Sequence, residues 1–93
     1  MLFIAYDFSN DKQRTKFAKF LNKFGQKKQY SVFMIKNSER VLENILTEIE
    51  KKYAPKFEKS DSIIIIPISP ADEKKVIKYG YTANDDEEVL FFS

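Results

Sequence analysis

The sequence predicts one α+β domain, in which two amphipathic helices cover one face of a β-sheet. Its 93 residues are enough for one domain with one core. Apolar residues alternate between strand-like runs and stretches with helical spacing. The order strand, helix, strand, strand, helix, strand gives a two-layer sandwich. A ferredoxin-like βαββαβ arrangement of these elements satisfies the right-handed crossover rule.

The first strand and the first helix follow each other directly. Residues 1–8 (MLFIAYDF) are apolar and aromatic, and predict a buried strand. Ser9 or Asn10 caps the helix, and Asp11 lies in its first turn, where the helix dipole favours negative charge. We expect Gly25 to close the helix as its C-cap. The core-facing stripe of this helix consists of Phe17, Phe20, Leu21 and Phe24.

The middle of the chain predicts β-structure and then a second helix. Residues 27–36 (KKQYSVFMIK) are rich in β-formers, which suits either one bent strand or a short edge strand followed by a longer one. Asn37 or Ser38 caps the second helix. Pro55 ends it, because a proline pushes the preceding residue, Ala54, out of helical conformation. The core side of this helix consists of Leu42, Ile45, Leu46, Ile49 and Tyr53.

The last third predicts a central strand followed by an acidic segment. Residues 62–68 include four consecutive isoleucines, which indicate burial on both faces and a central place in the sheet. Residues 70–73 predict a polar turn or short helix, and residues 76–81 a further short strand. We expect residues 1–80 to form the domain. Residues 81–93 then form an acidic linker and an extra C-terminal strand (VLFF), an apolar run that must dock to avoid exposure.

The predicted helices leave one face of the sheet bare. Phe3, Val32 and Ile64, or their neighbours, line this face. A second subunit and the VLFF run are the available covers, so we expect a homodimer. The longest unbroken apolar run is far shorter than the ~20 residues of a membrane span. Because the N-terminus also lacks the features of a signal peptide, we expect a cytoplasmic protein with no membrane partner.

Two absences exclude several classes of catalyst. The chain has no Cys and no His, which excludes disulfides, thiolate nucleophiles, His-based triads and zinc sites with Cys or His ligands. Catalysis would depend on carboxylates, Lys, Tyr, Ser or a metal ion held through oxygen. Oxygen ligands favour a hard ion such as Mg²⁺ or Mn²⁺.

The charges of the chain are unevenly distributed. Residues 1–36 hold eight basic and two acidic residues, whereas residues 60–93 hold three lysines and seven carboxylates. This asymmetry indicates either a polyanion-binding surface or ordinary solvated faces. Fourteen of the sixteen basic residues are Lys, which contacts phosphates with little geometric selectivity. The candidate nucleic-acid contacts are Lys12, Arg14, Lys16, Lys19, Lys23, Lys27 and Lys28.

Asp7 is the candidate catalytic and metal-binding residue. It ends the first strand, at a sheet edge where ligands commonly bind, and we expect it to be partly desolvated. One aspartate makes a poor metal site, but two brought together by a two-fold axis could hold Mg²⁺ and activate water for phosphodiester hydrolysis. The competing interpretation is an aspartate that only forms the turn or helps to cap the helix.

Three strings in this chain resemble the Cas-two family of small CRISPR-associated adaptation proteins. They are residues 6–14 (YDFSNDKQR), residues 29–33 (QYSVF) and residues 64–68 (IIIPI), and the resemblance covers roughly residues 2–80. It implies a ferredoxin-like homodimer that binds Mg²⁺ through a paired aspartate at the subunit interface. It also implies metal-dependent endonuclease activity on RNA or DNA, and a role with the Cas integrase in acquiring new spacers.

Carried over by position, the metal-binding aspartate of the family is Asp7. Arg14 matches its basic cluster, and Tyr6, Ser31 and Phe33 match its supporting motifs. The resemblance implies that the C-terminal strand joins the partner subunit or docks on the integrase. Two alternatives stay open: a non-catalytic dimeric scaffold for nucleic acid, and a toxin-type endoribonuclease of the same fold.

Overall fold

A computed structural model describes residues 1–29, 31–77, 79 and 80. Four strands form one antiparallel sheet in the order β2-β3-β1-β4. These strands are β1 (Leu2–Asp7), β2 (Gly25–Gln29), β3 (Val32–Ile35) and β4 (Ser62–Pro67). This strand order and the helical connections confirm the predicted α+β, ferredoxin-like fold. The predicted linker and strand at 81–93 lie outside the described residues.

Two helices connect the strands and pack on the same face of the sheet. They are α1 (Asp11–Leu21) and α2 (Glu39–Glu48). Asn10 is the N-cap of α1, because its side chain accepts the Gln13 N–H at 3.0 Å. Ser38 caps α2 in the same way and accepts the Val41 N–H at 3.1 Å. Both caps satisfy backbone donors that would otherwise lack a partner inside the helix.

The hydrophobic core lies between the helices and the sheet. The fully buried side chains include Phe17 and Leu21 of α1, Ile45 of α2 and Phe33 of β3. Leu46 was predicted to face the core, and this was wrong, because its side chain is 43% exposed. Ile45 instead occupies the core position of that helical turn.

The glycine at position 25 does not cap α1 as predicted. The C-cap of α1 is Asn22, and Gly25 is the first residue of β2. A Cβ at position 25 would lie 2.5 Å from the Met34 carbonyl oxygen and 2.7 Å from Ile35 Cγ1. Glycine at this position therefore allows β2 to approach β3 closely. The sequence allowed a short edge strand followed by a longer one, but β3 is no longer than the edge strand β2.

The end of α2 also differs from the prediction. The helix continues as a π turn (Ile49–Tyr53) and then a 3-10 turn (Ala54–Lys56). Ala54 keeps a helical backbone, with φ −56° and ψ −40°, although a proline follows it. Pro55 fits near the start of the 3-10 turn, where a missing N–H costs little.

The isoleucine-rich strand β4 is an edge strand of this chain, and its predicted central position was wrong. Ile63 and Ile65 pack against the core, whereas Ile64 is 55% and Ile66 is 47% exposed. The short helix predicted at 70–73 is present as α3 (Pro70–Glu73). Of the strand predicted at 76–81, the described residues 76, 77, 79 and 80 contain none.

Candidate functional site

Asp7 is the last residue of β1 and lies on the bare face of the sheet. Side chains alternate along β1, so that Leu2, Ile4 and Tyr6 are buried beneath the helices. Asp7 therefore shares the opposite face with Phe3 and Ala5. It is exposed in the isolated chain, and the expected partial desolvation is absent there. Its register partner in β4 is Ser62.

The residues of the supporting motifs hold the end of β1 in place. The Tyr6 ring packs against Phe17, with 5.1 Å between centroids, and against Phe33 at 6.1 Å. The Tyr6 backbone N–H donates to the Ser31 carbonyl oxygen at 3.1 Å. Phe33 is fully buried and belongs to the core. Tyr6, Ser31 and Phe33 thus act behind Asp7, by fixing the backbone that presents it.

Ser9 joins the end of β1 to the loop before β4. Its N–H donates to Asp61 Oδ1 at 2.8 Å, and its hydroxyl lies 3.0 Å from the same oxygen and also contacts Glu58. The Glu58 N–H donates to Asp61 Oδ2 at 2.9 Å. Backbone hydrogen bonds, from Glu58 first and then from Ser9, lower the pKa of Asp61. This link was not predicted, because a serine after a strand equally suits a helix cap.

The lysines of α1 form one exposed stripe. Lys12, Lys16, Lys19 and Lys23 recur at intervals of four, three and four residues, and all four are exposed. Lys23 follows the end of the helix, and the other three lie within it. We call these four residues the lysine stripe. Side chains with this spacing project from one side of a helix, so they can contact successive phosphates.

Of the other predicted basic contacts, Arg14 and Lys27 lie next to Lys19 of this stripe, whereas Lys28 lies further along strand β2. Arg14 is half-buried, and its Nη2 atom donates to the Phe8 carbonyl oxygen at 3.2 Å and to Asp11 Oδ1 at 2.6 Å. Lys28 Nζ donates to Gln26 Oε1 at 3.2 Å on strand β2. A cleft of about 250 Å³ brings Arg14, Lys19 and Lys27 together next to Tyr6.

A second basic cleft contains lysines that the sequence analysis missed. It has a volume of about 260 Å³ and lies between α1 and the π and 3-10 turns. Lys51, Lys52 and Lys56 line it together with Lys16. Residues 37–59, which contain Lys51, Lys52 and Lys56, have no net charge. The uneven charge distribution along the chain therefore did not indicate these lysines. No local pattern in the sequence links these three lysines to Lys16 on α1.

Comparison with known protein families identifies the chain. The family described as CRISPR associated protein Cas2 matches residues 1–76. The chain belongs to this family. Membership makes it a CRISPR-associated adaptation protein, and it confirms the resemblance carried by the motifs around Asp7, Ser31 and the isoleucine run.

A solved structure supports the same fold for this Cas2 family member. The chain is similar to the crystal structure of a hypothetical protein, TT1823, from Thermus thermophilus. The two chains share 29% identity with a TM-score of 0.64, over 73% of this chain and 79% of the other. No curated protein matches the sequence. Within the described residues, no helix combines the length and the apolar character needed to cross a membrane.

The described residues of this Cas2 family member do not form a complete metal site within one chain. In the part of the chain that the structure describes, no group of three or more acidic residues is arranged to hold a metal ion. The Asp7 carboxylate supplies an oxygen donor of the type that hard cations prefer. Because it lies exposed on the bare face, a second copy can approach it without displacing the core.

Proposed function

We propose that the chain is a homodimeric nucleic-acid scaffold and metal-dependent endonuclease that works with the Cas integrase in spacer acquisition. One observation carries this proposal. The bare face of the sheet holds both the Asp7 carboxylate and exposed isoleucines. A second copy placed there would cover the isoleucines and bring a second Asp7 towards the first. The family match favours this role over a toxin-type endoribonuclease.

The apolar character of the bare face supports the homodimer. Strand pairing places Phe3 beside Met34 and Ile66, and Ala5 beside Val32 and Ile64. Ile64 and Ile66 keep about half of their surface in water. Covering each exposed isoleucine contributes on the order of 1 kcal/mol, since apolar burial is worth roughly 25 cal/mol per Å². A symmetric pair of such faces suits an isologous dimer.

The two Asp7 carboxylates would hold the shared Mg²⁺ or Mn²⁺. When bound there, such an ion would supply an activated water and would offset charge on the phosphoryl oxygens. The chain itself contributes position: the ring of Tyr6 and its backbone bond to Ser31 fix the end of β1. No imidazole takes part, since the chain has no His.

The lysine stripe is the proposed contact for DNA or RNA backbones. Lysine is a point charge that contacts phosphates without reading bases. Replacing Lys19 and Lys23 with Gln should therefore weaken binding equally for unrelated sequences. The slope of log K against log salt should decrease by about 1.8, or ~0.9 for each lost contact with duplex DNA.

Cleavage tests the role of Asp7. Purified wild type, Asp7→Asn and the matched control Asp72→Asn are incubated with RNA and duplex DNA, in Mg²⁺ and in EDTA. We expect cleavage by wild type and by Asp72→Asn in Mg²⁺ alone, and none by Asp7→Asn. Asp72 is an exposed aspartate near the other end of β4. Equal cleavage by all three proteins would exclude Asp7 as the metal-binding catalytic residue.

A non-catalytic scaffold is the second candidate function. The observation that favours it is the lone carboxylate, because no acidic group of three or more among the described residues forms a complete metal site. A scaffold would show no cleavage by any of these proteins, and spacer acquisition would persist with Asp7→Asn. Loss of acquisition only in Asp7→Asn would exclude this candidate.

A further inference from the structure

The second basic cleft lies at the same end of the fold as Asp7. Gln13 and Lys16 of α1 form one wall, and residues 48–56 form the other. Helix α1 begins just after β1 ends, and the chain leaves residue 56 to enter β4, whose first residue faces Asp7. The cleft therefore opens near the strand ends that present the candidate catalytic residue.

The backbone of the second wall is unusual and firmly packed. The π turn is closed by a hydrogen bond from the Ala54 N–H to the Ile49 carbonyl oxygen. Tyr53, its last residue, is 5% exposed and packs edge-on against Phe17, with 4.9 Å between ring centroids. Short π segments occur often at functional sites. Here the turn holds Lys51 and Lys52 on an anchored wall.

The cleft is strongly positive. Its lining has four lysines and one glutamate, hence a net charge of +3. Glu48 pairs with Lys52 at 3.0 Å, which offsets the one negative group. Burial, and then the neighbouring Glu48, raise the pKa of Tyr53, so its phenol stays neutral at pH 7. Among the described residues, no ion pair engages Lys16, Lys51 or Lys56.

We infer that this cleft binds a phosphate group of the nucleic-acid backbone, through Lys16, Lys51 and Lys56. The inference rests on the proposed nucleic-acid binding and extends it. Lys16 belongs both to the lysine stripe and to the cleft, so a backbone that follows α1 continues onto the π turn. An uncompensated group of lysines of this kind favours a phosphodiester, and its continuity with the stripe favours a polymer over a small anion.

Paired lysine variants test the cleft separately from the stripe. Lys51→Gln/Lys56→Gln is compared with Lys19→Gln/Lys23→Gln and with the control Lys36→Gln/Lys75→Gln. The control removes the same charge at the opposite end of the sheet, since Lys36 follows β3 and Lys75 follows α3. Binding to a duplex DNA and to an RNA oligonucleotide is measured by fluorescence anisotropy over a salt series, and folding is checked by circular dichroism.

The cleft variant should bind both oligonucleotides roughly 10- to 30-fold more weakly at ~0.15 M salt, with a slope for duplex DNA that is lower by about 1.8. The control should change binding less than about threefold. If the cleft variant matches the control while the stripe variant weakens binding, the inference is wrong and the proposed function stands. If wild type shows no salt-dependent binding, both fail. Inorganic phosphate that binds wild type as tightly as the oligonucleotides would overturn the backbone assignment.

Discussion

The two faces of the sheet are built from the same strands but differ in what covers them. On the helix side, Leu2, Ile4 and Phe33 are fully buried beneath α1 and α2. On the bare side, Ile64 and Ile66 remain about half exposed, and Asp7 shares their face. The helix side therefore supplies most of the folding stability of the single chain. The bare side is the surface on which we propose that assembly and catalysis take place.

The strongest test of this contrast removes a large core side chain. Phe17→Ala should lower the free energy of unfolding by about 3–5 kcal/mol, because it leaves a cavity beneath Tyr6 and Tyr53. Ile66→Ala on the bare face should cost less than about 1 kcal/mol under conditions where the chain is monomeric. Urea unfolding followed by circular dichroism measures both. Equal losses would contradict the assignment of stability to the helix side.

A charge on the bare face should act on association instead of folding. Ile64→Glu should raise the dissociation constant of the proposed dimer at least about 100-fold, since pairing would bury the new carboxylate. Leu46→Glu, at an exposed apolar position of α2, should leave association unchanged. Sedimentation velocity over a concentration series measures both. A dimer that survives Ile64→Glu unchanged would mean that another surface joins the subunits.

The helix caps should affect stability alone. Asn10→Ala removes the acceptor of the Gln13 N–H and should lower the free energy of unfolding by about 1 kcal/mol. Asn44→Ala replaces an exposed residue inside α2 and should be neutral or slightly stabilising. Chemical unfolding measures both, and sedimentation should show the same association in each variant. Equal unfolding free energies for the two variants would argue against the cap.

The smallest expected effect is a pH dependence that Asp61 introduces. Hydrogen bonds from the Glu58 and Ser9 backbones lower its pKa from 3.8, so the folded state favours the charged carboxylate. This contribution is present at neutral pH and is lost as the pH falls below 3.8. Thermal unfolding between about pH 2 and pH 7 should show wild type approaching Asp61→Asn at low pH. Parallel profiles for the two proteins would contradict this linkage.

Structural features that depend on neighbouring residues in the chain were predictable from the sequence. Each N-cap was predicted to within two neighbouring residues, because a short polar side chain before an apolar stripe can accept from the first turn of the helix. The structure selects Asn10 and Ser38. Asp7 is placed at the end of β1 because the apolar run stops there. The succession of elements and the handedness of the crossovers favour the ferredoxin-like fold, although the isoleucine run predicted a central place for β4, which lies at the edge of the sheet.

Residues with a distant cause were not predictable. Gly25 looked like a helix cap, but its reason is the close approach of Ile35 and Met34 from another strand. The isoleucine run looked like a strand buried on both faces, whereas this chain covers only one of them. Ala54 keeps a helical backbone, which the following proline disfavours. The preceding residue, Tyr53, packs against Phe17 of α1, a contact that the local sequence does not reveal.

Only the part of the candidate site that depends on neighbouring residues was predicted. The lysine stripe follows helical spacing and could be read directly, and all four lysines are exposed. The charges of the second basic cleft come from elements that are distant in the chain, Lys16 on α1 and Lys51 on the π turn. Only the fold brings them together, so no local pattern could reveal them.

The central place of β1 has a consequence for protein synthesis. This strand comes first among the described strands, yet it lies between β3 and β4. The Ser9 N–H that follows it bonds Asp61, which is 52 residues later in the chain. A nascent chain that pauses before residue 62 therefore holds a central strand with one unpaired edge, which is a hazard for aggregation. The emergence of β4 from the ribosome closes that edge, so translation speed through the preceding turns sets how long the risk lasts.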